Sequence, residues 1–383
     1  MNAKLRTGLV LTGGGARVAY QVGVLKALQE ILPSEAIPFN VICGTSAGGI
    51  NAAYLSAKAD NWKAGAQGLY QLWQNIELKN VYKTSSKSLT AIAFAWVVRT
   101  LMGGKSGTRE IANYLLDTKP LGHMLSQEID FSAIRKQIDK KALHAISITA
   151  LEYFNDLTVS FFDATEEVES WERAGRIGLR SLLQVEHILA SAAIPVFFSP
   201  VRIDKQYYGD GCVRQMTPLS PAIHMGADRL LCIGIRHDRT SLEPALAIPK
   251  APSIAQITGE LFNSLFLDPL HADMERLKRI NDSIARYQAA GLPTTGASLK
   301  QIPVLNLMPS KNLSDILPSL VQGFPRYLRY LLHGLGASDR DGQGQTMISY
   351  LAFFKECIHP LLDLGYQDTI RRKDEIVAFM QDE

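Results

Sequence analysis

Twice within its first 57 residues the chain repeats one pattern: a short apolar run, a glycine-rich break, then small and apolar residues at helical spacing. The first copy is Thr7–Leu11, then Gly13-Gly14-Gly15, then Val18, Val22, Leu25 and Leu28. The second is residues 38–43, then Gly44-Thr45-Ser46-Ala47-Gly48, then another helical stretch. Apolar residues recurring three and four apart share one helix face, and a short continuous apolar run fits a strand buried on both sides. Strand, loop, helix, strand, turn, helix is the opening of an α/β sheet wrapped by helices.

The rest of the chain extends this reading. Residues 62–140 read mainly as helices and loops, an excursion from the sheet. Residues 143–151 and 157–162 read as strands, 185–193 as a helix stopped by Pro195, 206–209 as a short strand ending at Asp210-Gly211, and 229–235 as one more β-rich run. A proline-rich linker is expected at 244–253, helix over 254–291, a late strand at 302–307, and mostly helix beyond. The expected architecture is α/β, a three-layer α/β/α sandwich around a largely parallel sheet. Its α/β core covers 1–243. A mostly helical C-terminal region, 254–383, packs on that core within the same domain or as a subdomain.

The 383 residues carry a formal charge of only +3 and no dense Lys/Arg stripe, so nucleic acid is not an expected partner. The four cysteines, Cys43, Cys212, Cys232 and Cys357, form no CxxC pair, so no zinc site or redox motif is suggested, and so few thiols fit a reducing compartment; no cofactor is expected. The N-terminal apolar run is too short for a signal peptide, and no stretch reaches the roughly 20 apolar residues that span a bilayer. A cytoplasmic protein is expected, with room for peripheral contact with a membrane.

Gly44-Thr45-Ser46-Ala47-Gly48 is G-x-S-x-G between a strand and a helix, the frame of a nucleophile elbow. The flanking glycines Gly44 and Gly48 remove side chains that clash in a sharp turn, and the helix N-terminus favours negative charge beside the serine oxygen. Gly13-Gly14-Gly15-Ala16-Arg17 has two functional readings. One is an oxyanion hole of backbone amides. The other is a dinucleotide loop, which needs a glycine at the position of Val18 and an acid at the end of the second strand; the sequence has neither. A plain glycine turn is the third reading.

A serine nucleophile needs a base. Among eight histidines His237, after a strand, is the best candidate for a triad. Against it, Ser46 follows only the second strand, earlier than the nucleophile of an α/β-hydrolase. The other base is Asp210, in Tyr207-Tyr208-Gly209-Asp210-Gly211-Cys212. An Asp-Gly hairpin turn is the ordinary reading of that pair, but with Ser46 and the glycine loop it makes a Ser-Asp dyad, with Gly211 forming the turn.

The chain resembles the bacterial patatin-like phospholipases. LTGGGARVAYQVGVLKAL, GTSAGGINAA, LLDTKPL, ILASAAIPVFFSPV and YYGDGCVRQMTPLSPAI carry the resemblance, with DMERLKRIND and SYLAFFKECIHPLLDLGYQD extending it towards the C-terminus. It implies a Ser-Asp dyad at Ser46 and Asp210, and an oxyanion hole from Gly13, Gly14, Gly15 and the neighbourhood of Arg17. The implied activity is metal-free hydrolysis of phospholipid or lysophospholipid acyl esters. Two positions depart from the family pattern: Val18 replaces a glycine, and D-G-C replaces D-G-G or D-G-A. Both bear on substrate preference. An acyltransferase or thioesterase would share the same serine, and a non-catalytic lipid-binding protein would share the fold. Residues 89–102, LTAIAFAWVVRTLM, read as a buried helix or as a mobile, membrane-touching lid. Residues 274–281 read as a solvated helix face and 324–332 as an amphipathic core helix.

Overall fold

The two opening units fold as their pattern demands. Strand β1 (Thr7–Leu11) feeds helix α1 (Ala19–Ile31), which returns to β2 (Val41–Thr45), parallel to β1 with Leu11 beside Gly44; helix α2 (Ala47–Ala57) follows directly. The computed structural model describes residues 5–83, 114–237, 251–291, 300–317, 320–338 and 344–381. After α2 the chain forms helices Trp62–Gln74, Lys119–Glu128 and Phe131–Asp139 before returning to the sheet. The further strands are β3 (Ala145–Glu152), β4 (Leu157–Ala164), β5 (Trp171–Arg173), β6 (Arg176–Arg180), β7 (Val201–Ile203), β8 (Gln206–Asp210), β9 (Arg229–Ile233) and β10 (Val304–Leu307).

The sheet order is β10-β9-β1-β2-β3-β4-β6-β5, with β8 pairing both β7 and one end of β3. The five strands from β10 to β3 are mutually parallel; β4 runs antiparallel to β3. Successive side chains of a strand face opposite sides, and the apolar residues sort accordingly. Leu9, Leu11, Ile42, Ile146, Ile148, Leu231 and Ile233 enter the core under α1 and α2. Val10, Val41, Cys43, Ala145, Leu230 and Cys232 enter a second core with Leu219, Ala222 and Met225 around the helix Ser220–His224, and with Leu270 and Leu277 of the helix Asp268–Ala289. Two cores on two faces of one sheet make the three-layer α/β/α sandwich.

The C-terminal helices cover the first of those faces. The helix Lys355–Arg371 lies along α1, and the two backbones meet at glycines. A Cβ on Gly23 would stand 2.0 Å from the Leu362 carbonyl oxygen, and one on Gly365 would stand 2.1 Å from that of Tyr20.

Several boundaries differ from the sequence expectation. The helix expected over 254–291 is two helices, Ile254–Phe266 and Asp268–Ala289, with Pro269 in the first turn of the second; proline is tolerated there but not in a helix interior. The strands β5, β6 and β7 are short and of mixed polarity, and their pattern does not announce them. The helix Arg326–Gly334 is amphipathic, with Leu328 and Leu332 inward and Tyr330 outward. Within 274–281 Leu277 faces inward while Glu275, Arg276, Lys278 and Arg279 face solvent. Residues 89–102 and 244–250 lie outside the described residues. Among the described residues no helix is long and apolar enough to cross a membrane.

Candidate active site

The register of β3 brings two distant residues together. Thr45, the last residue of β2, stands beside Thr149. The next residue of β3, Ala150, pairs instead with Asp210, the last residue of β8. Strands β2 and β8 therefore run head-on along the same edge of β3, and Ser46 and Asp210 meet at the junction. The Ser46 hydroxyl donates to Asp210 Oδ2 at 2.6 Å.

Ser46 itself sits at φ 55° and ψ −132°, between β2 and α2. A non-glycine residue with positive φ is strained by about 1–3 kcal/mol and persists where its surroundings over-determine it. Those surroundings are visible. Gly49 N–H donates to the Ser46 carbonyl at 2.8 Å, and the Ser46 N–H donates to Ser191 Oγ at 2.8 Å. Ser191, wholly buried at the end of the helix Val185–Ser191, donates in turn to the Thr149 carbonyl at 2.6 Å. Beneath the elbow Thr45 Oγ1 donates to Gln215 Oε1 at 2.6 Å, and Gln215 Nε2 donates to Thr149 Oγ1 at 3.2 Å. Sequence reasoning missed Ser191 and Gln215. Both act through backbone or side chains far away in sequence, so nothing local marks them.

Asp210 is fully buried. Its Oδ1 accepts from the Cys212 N–H at 2.9 Å, and its own N–H donates to the Ala193 carbonyl at 3.0 Å. Burial pushes its carboxyl up to about 7, with the Ser46 hydroxyl and the Cys212 amide pulling the other way. Asp210-Gly211 is not a hairpin turn here: Asp210 caps a short 3₁₀ turn, Gly211–Val213.

The glycine loop closes on the same point. A Cβ on Gly13 would lie 2.7 Å from Ser46 Cβ and 2.4 Å from Cys212 Sγ. Only a residue without a side chain fits there, and the loop backbone thereby reaches the serine. A Cβ on Gly48, in the first turn of α2, would lie 2.4 Å from the carbonyl oxygen of Leu11, the last residue of β1, and 2.5 Å from that of Thr12. Gln21 Nε2 donates to the Thr12 carbonyl at 2.8 Å, fixing the chain just before Gly13. Val18 is wholly buried, so its branched side chain fills core volume next to Gly14. Arg17 is also buried, and its guanidinium binds Ser314 and Ser349 of the C-terminal region. His237 Nδ1 lies 3.0 Å from the Pro309 carbonyl oxygen, and the Ser46 hydroxyl is hydrogen-bonded to Asp210. Among the described residues no group of three or more His, Cys, Asp or Glu is placed to hold a metal ion.

The arrangement is a hydroxyl on a strained turn, hydrogen-bonded to a desolvated carboxylate, with glycine backbone alongside. That is the equipment for nucleophilic attack on an electrophilic carbon with proton transfer to the carboxylate.

Residues 9–223, more than half of the chain, match the family model described as patatin-like phospholipase. A stretch of 53 residues is 53% identical to lysophospholipase nte1 of Aspergillus terreus (strain NIH 2624 / FGSC A1156), covering 14% of this chain and 3% of that protein. Human GIVD cytosolic phospholipase A2 aligns over 98% of this chain and 60% of its own, at 13% identity and a TM-score of 0.45. VipD from Legionella pneumophila aligns over 97% of this chain and 67% of its own, at 15% identity and a TM-score of 0.34. The chain thus spans a small fraction of its curated relative and about three fifths of the phospholipase A2. With the family match covering β1 through the helix after Asp210, the chain belongs to the patatin-like phospholipase family.

Proposed function

We propose that the protein hydrolyses acyl esters of phospholipids or lysophospholipids through an acyl-enzyme on Ser46. The 2.6 Å bond from the Ser46 hydroxyl to buried Asp210 carries this reading; family membership supports the lipid substrate. Ser46 Oγ attacks the acyl carbonyl carbon as its proton passes to Asp210 Oδ2. The carbonyl oxygen becomes an oxyanion, which the amides of the Gly13-Gly14-Gly15 loop stabilise, with the elbow glycines Gly44 and Gly48 and the turn at Gly211 keeping the three parts in register. The intermediate collapses, the ester C–O bond breaks, and the leaving alkoxide takes the proton from Asp210. Water then attacks the acyl-enzyme, giving its proton to Asp210. Collapse releases the fatty acid, and the proton returns to Ser46 Oγ.

Asp210 serves as a base because burial withholds the solvation that makes an ordinary carboxylate weak. Removing either partner removes the chemistry. Turnover of a p-nitrophenyl acyl ester is expected to fall by at least about 10³-fold in Ser46→Ala and in Asp210→Asn. Undiminished turnover in either variant rejects the dyad.

A further inference from the structure

The glycine loop is held from outside the stretch that the family model matches. Arg17, two residues beyond Gly15, is 3% exposed. Its Nε donates to Ser349 Oγ at 2.7 Å, and its Nη2 donates to Ser314 Oγ at 2.7 Å and to the Thr346 carbonyl at 3.4 Å. The guanidinium carbon lies 4.4 Å from the centre of the Tyr350 ring. Ser349 is itself fixed as an acceptor, because its hydroxyl donates to the Thr346 carbonyl at 2.6 Å. These partners are all neutral. An arginine buried for packing alone is expected to find a carboxylate, since an uncompensated buried charge is costly. Here hydroxyls and a carbonyl fix the geometry of the fork, and the Glu260 carboxylate acts on its charge at Coulombic range.

A second contact lies beside the first. Gly15 sits at φ 56°, and a Cβ there would stand 2.1 Å from the Tyr350 carbonyl oxygen. The loop and the helix Gln345–Leu351 therefore touch through backbone at Gly15 and through side chains at Arg17, on either side of Ala16. Three consecutive glycines have no side chains with which to hold themselves in place, so what fixes their amides is what lies around them.

We propose that Ser314 and Ser349 are positioning residues for the hydrolysis: by holding Arg17 they set the Gly13-Gly14-Gly15 amides where the oxyanion forms. This rests on the roles given above to Ser46 and the glycine loop. Donor amides act only within hydrogen-bond reach of the oxyanion, and a misplacement of about 1 Å costs on the order of 10²-fold in rate. The oxyanion exists only after attack, so the loss falls on kcat rather than on KM.

The test compares wild type, Ser46→Ala, Ser314→Ala, Ser349→Ala and Ser314→Thr on one p-nitrophenyl ester, with the folded fraction of each measured by thermal melting. The expected result is a fall in kcat of about 10- to 100-fold in each of the two serine-to-alanine variants, at a KM within about twofold of wild type. Ser314→Thr, which keeps the hydroxyl, is expected to retain most of the wild-type kcat. Unchanged kcat in Ser314→Ala and Ser349→Ala, with Ser46→Ala inactive, overturns this inference alone. Full activity in Ser46→Ala overturns it together with the reading on which it rests. Activity lost only in proportion to folded protein assigns both serines to packing and overturns it as well.

Discussion

The proposed mechanism asks Asp210 to be a base while wholly buried, and the two demands are linked. Burial holds its carboxyl near 7 in the folded protein, above the ordinary carboxylate range. In the proposed mechanism only the ionised form accepts the Ser46 proton, so ester hydrolysis is expected to rise with pH, pass half-maximum near pH 7, and fade below it. A rate flat from about pH 5.5 to 8.5 would contradict that assignment. The same shift sets a stability term of opposite sense. Between the unfolded and folded values the folded state binds the proton more tightly, so stability falls as pH rises through that window. Asp210→Asn removes the penalty. It is expected to be more stable than wild type at pH 8, on the order of 3 kcal/mol, and to lose that advantage near pH 4, as read by chemical denaturation. At this scale the sequence was informative wherever the code is local. The glycines flank Ser46 because the turn needs them, and Asp210 stands at a glycine on a strand end. Ser191 gave no such signal, because the N–H it accepts from lies 145 positions away.

Elements meet where the sequence has no vocabulary for it. The apolar runs announced β1, β2 and β3, since strands covered on both faces must be continuously apolar. That β8 continues the path of β2 along β3 is a matter of register, set by pairings between Ala150 and Asp210, 60 residues apart, and between Thr45 and Thr149, more than 100 apart. The packing of helix Lys355–Arg371 on α1 is legible only afterwards, in Gly23 and Gly365. At an exposed helix position glycine to alanine stabilises. Here a new methyl meets the Leu362 carbonyl, so Gly23→Ala is expected to destabilise by about 1–3 kcal/mol or more, seen as a lowered melting temperature. A neutral or stabilising Gly23→Ala would mean that the two helices do not cross at this depth.

Across the whole molecule, the family-matched stretch ends at residue 223, but the sheet and its cover do not. Strands β9 and β10 complete the parallel half, and the C-terminal helices close the core over α1. The two opening units foretold the α/β class because each must bury its strand between helices. They did not foretell that Ser314 and Ser349 hold Arg17, since ordinary serines 297 and 332 positions away from it carry no pattern. The proposed chemistry depends most on one atom, Ser46 Oγ. The direct measurement is to treat the whole protein with a fluorophosphonate, digest it, and map the adduct by mass spectrometry while following ester turnover. A single adduct on Ser46, formed in step with loss of activity and absent from Ser46→Ala, is the predicted result. An adduct elsewhere, or full turnover with Ser46 modified, would contradict it.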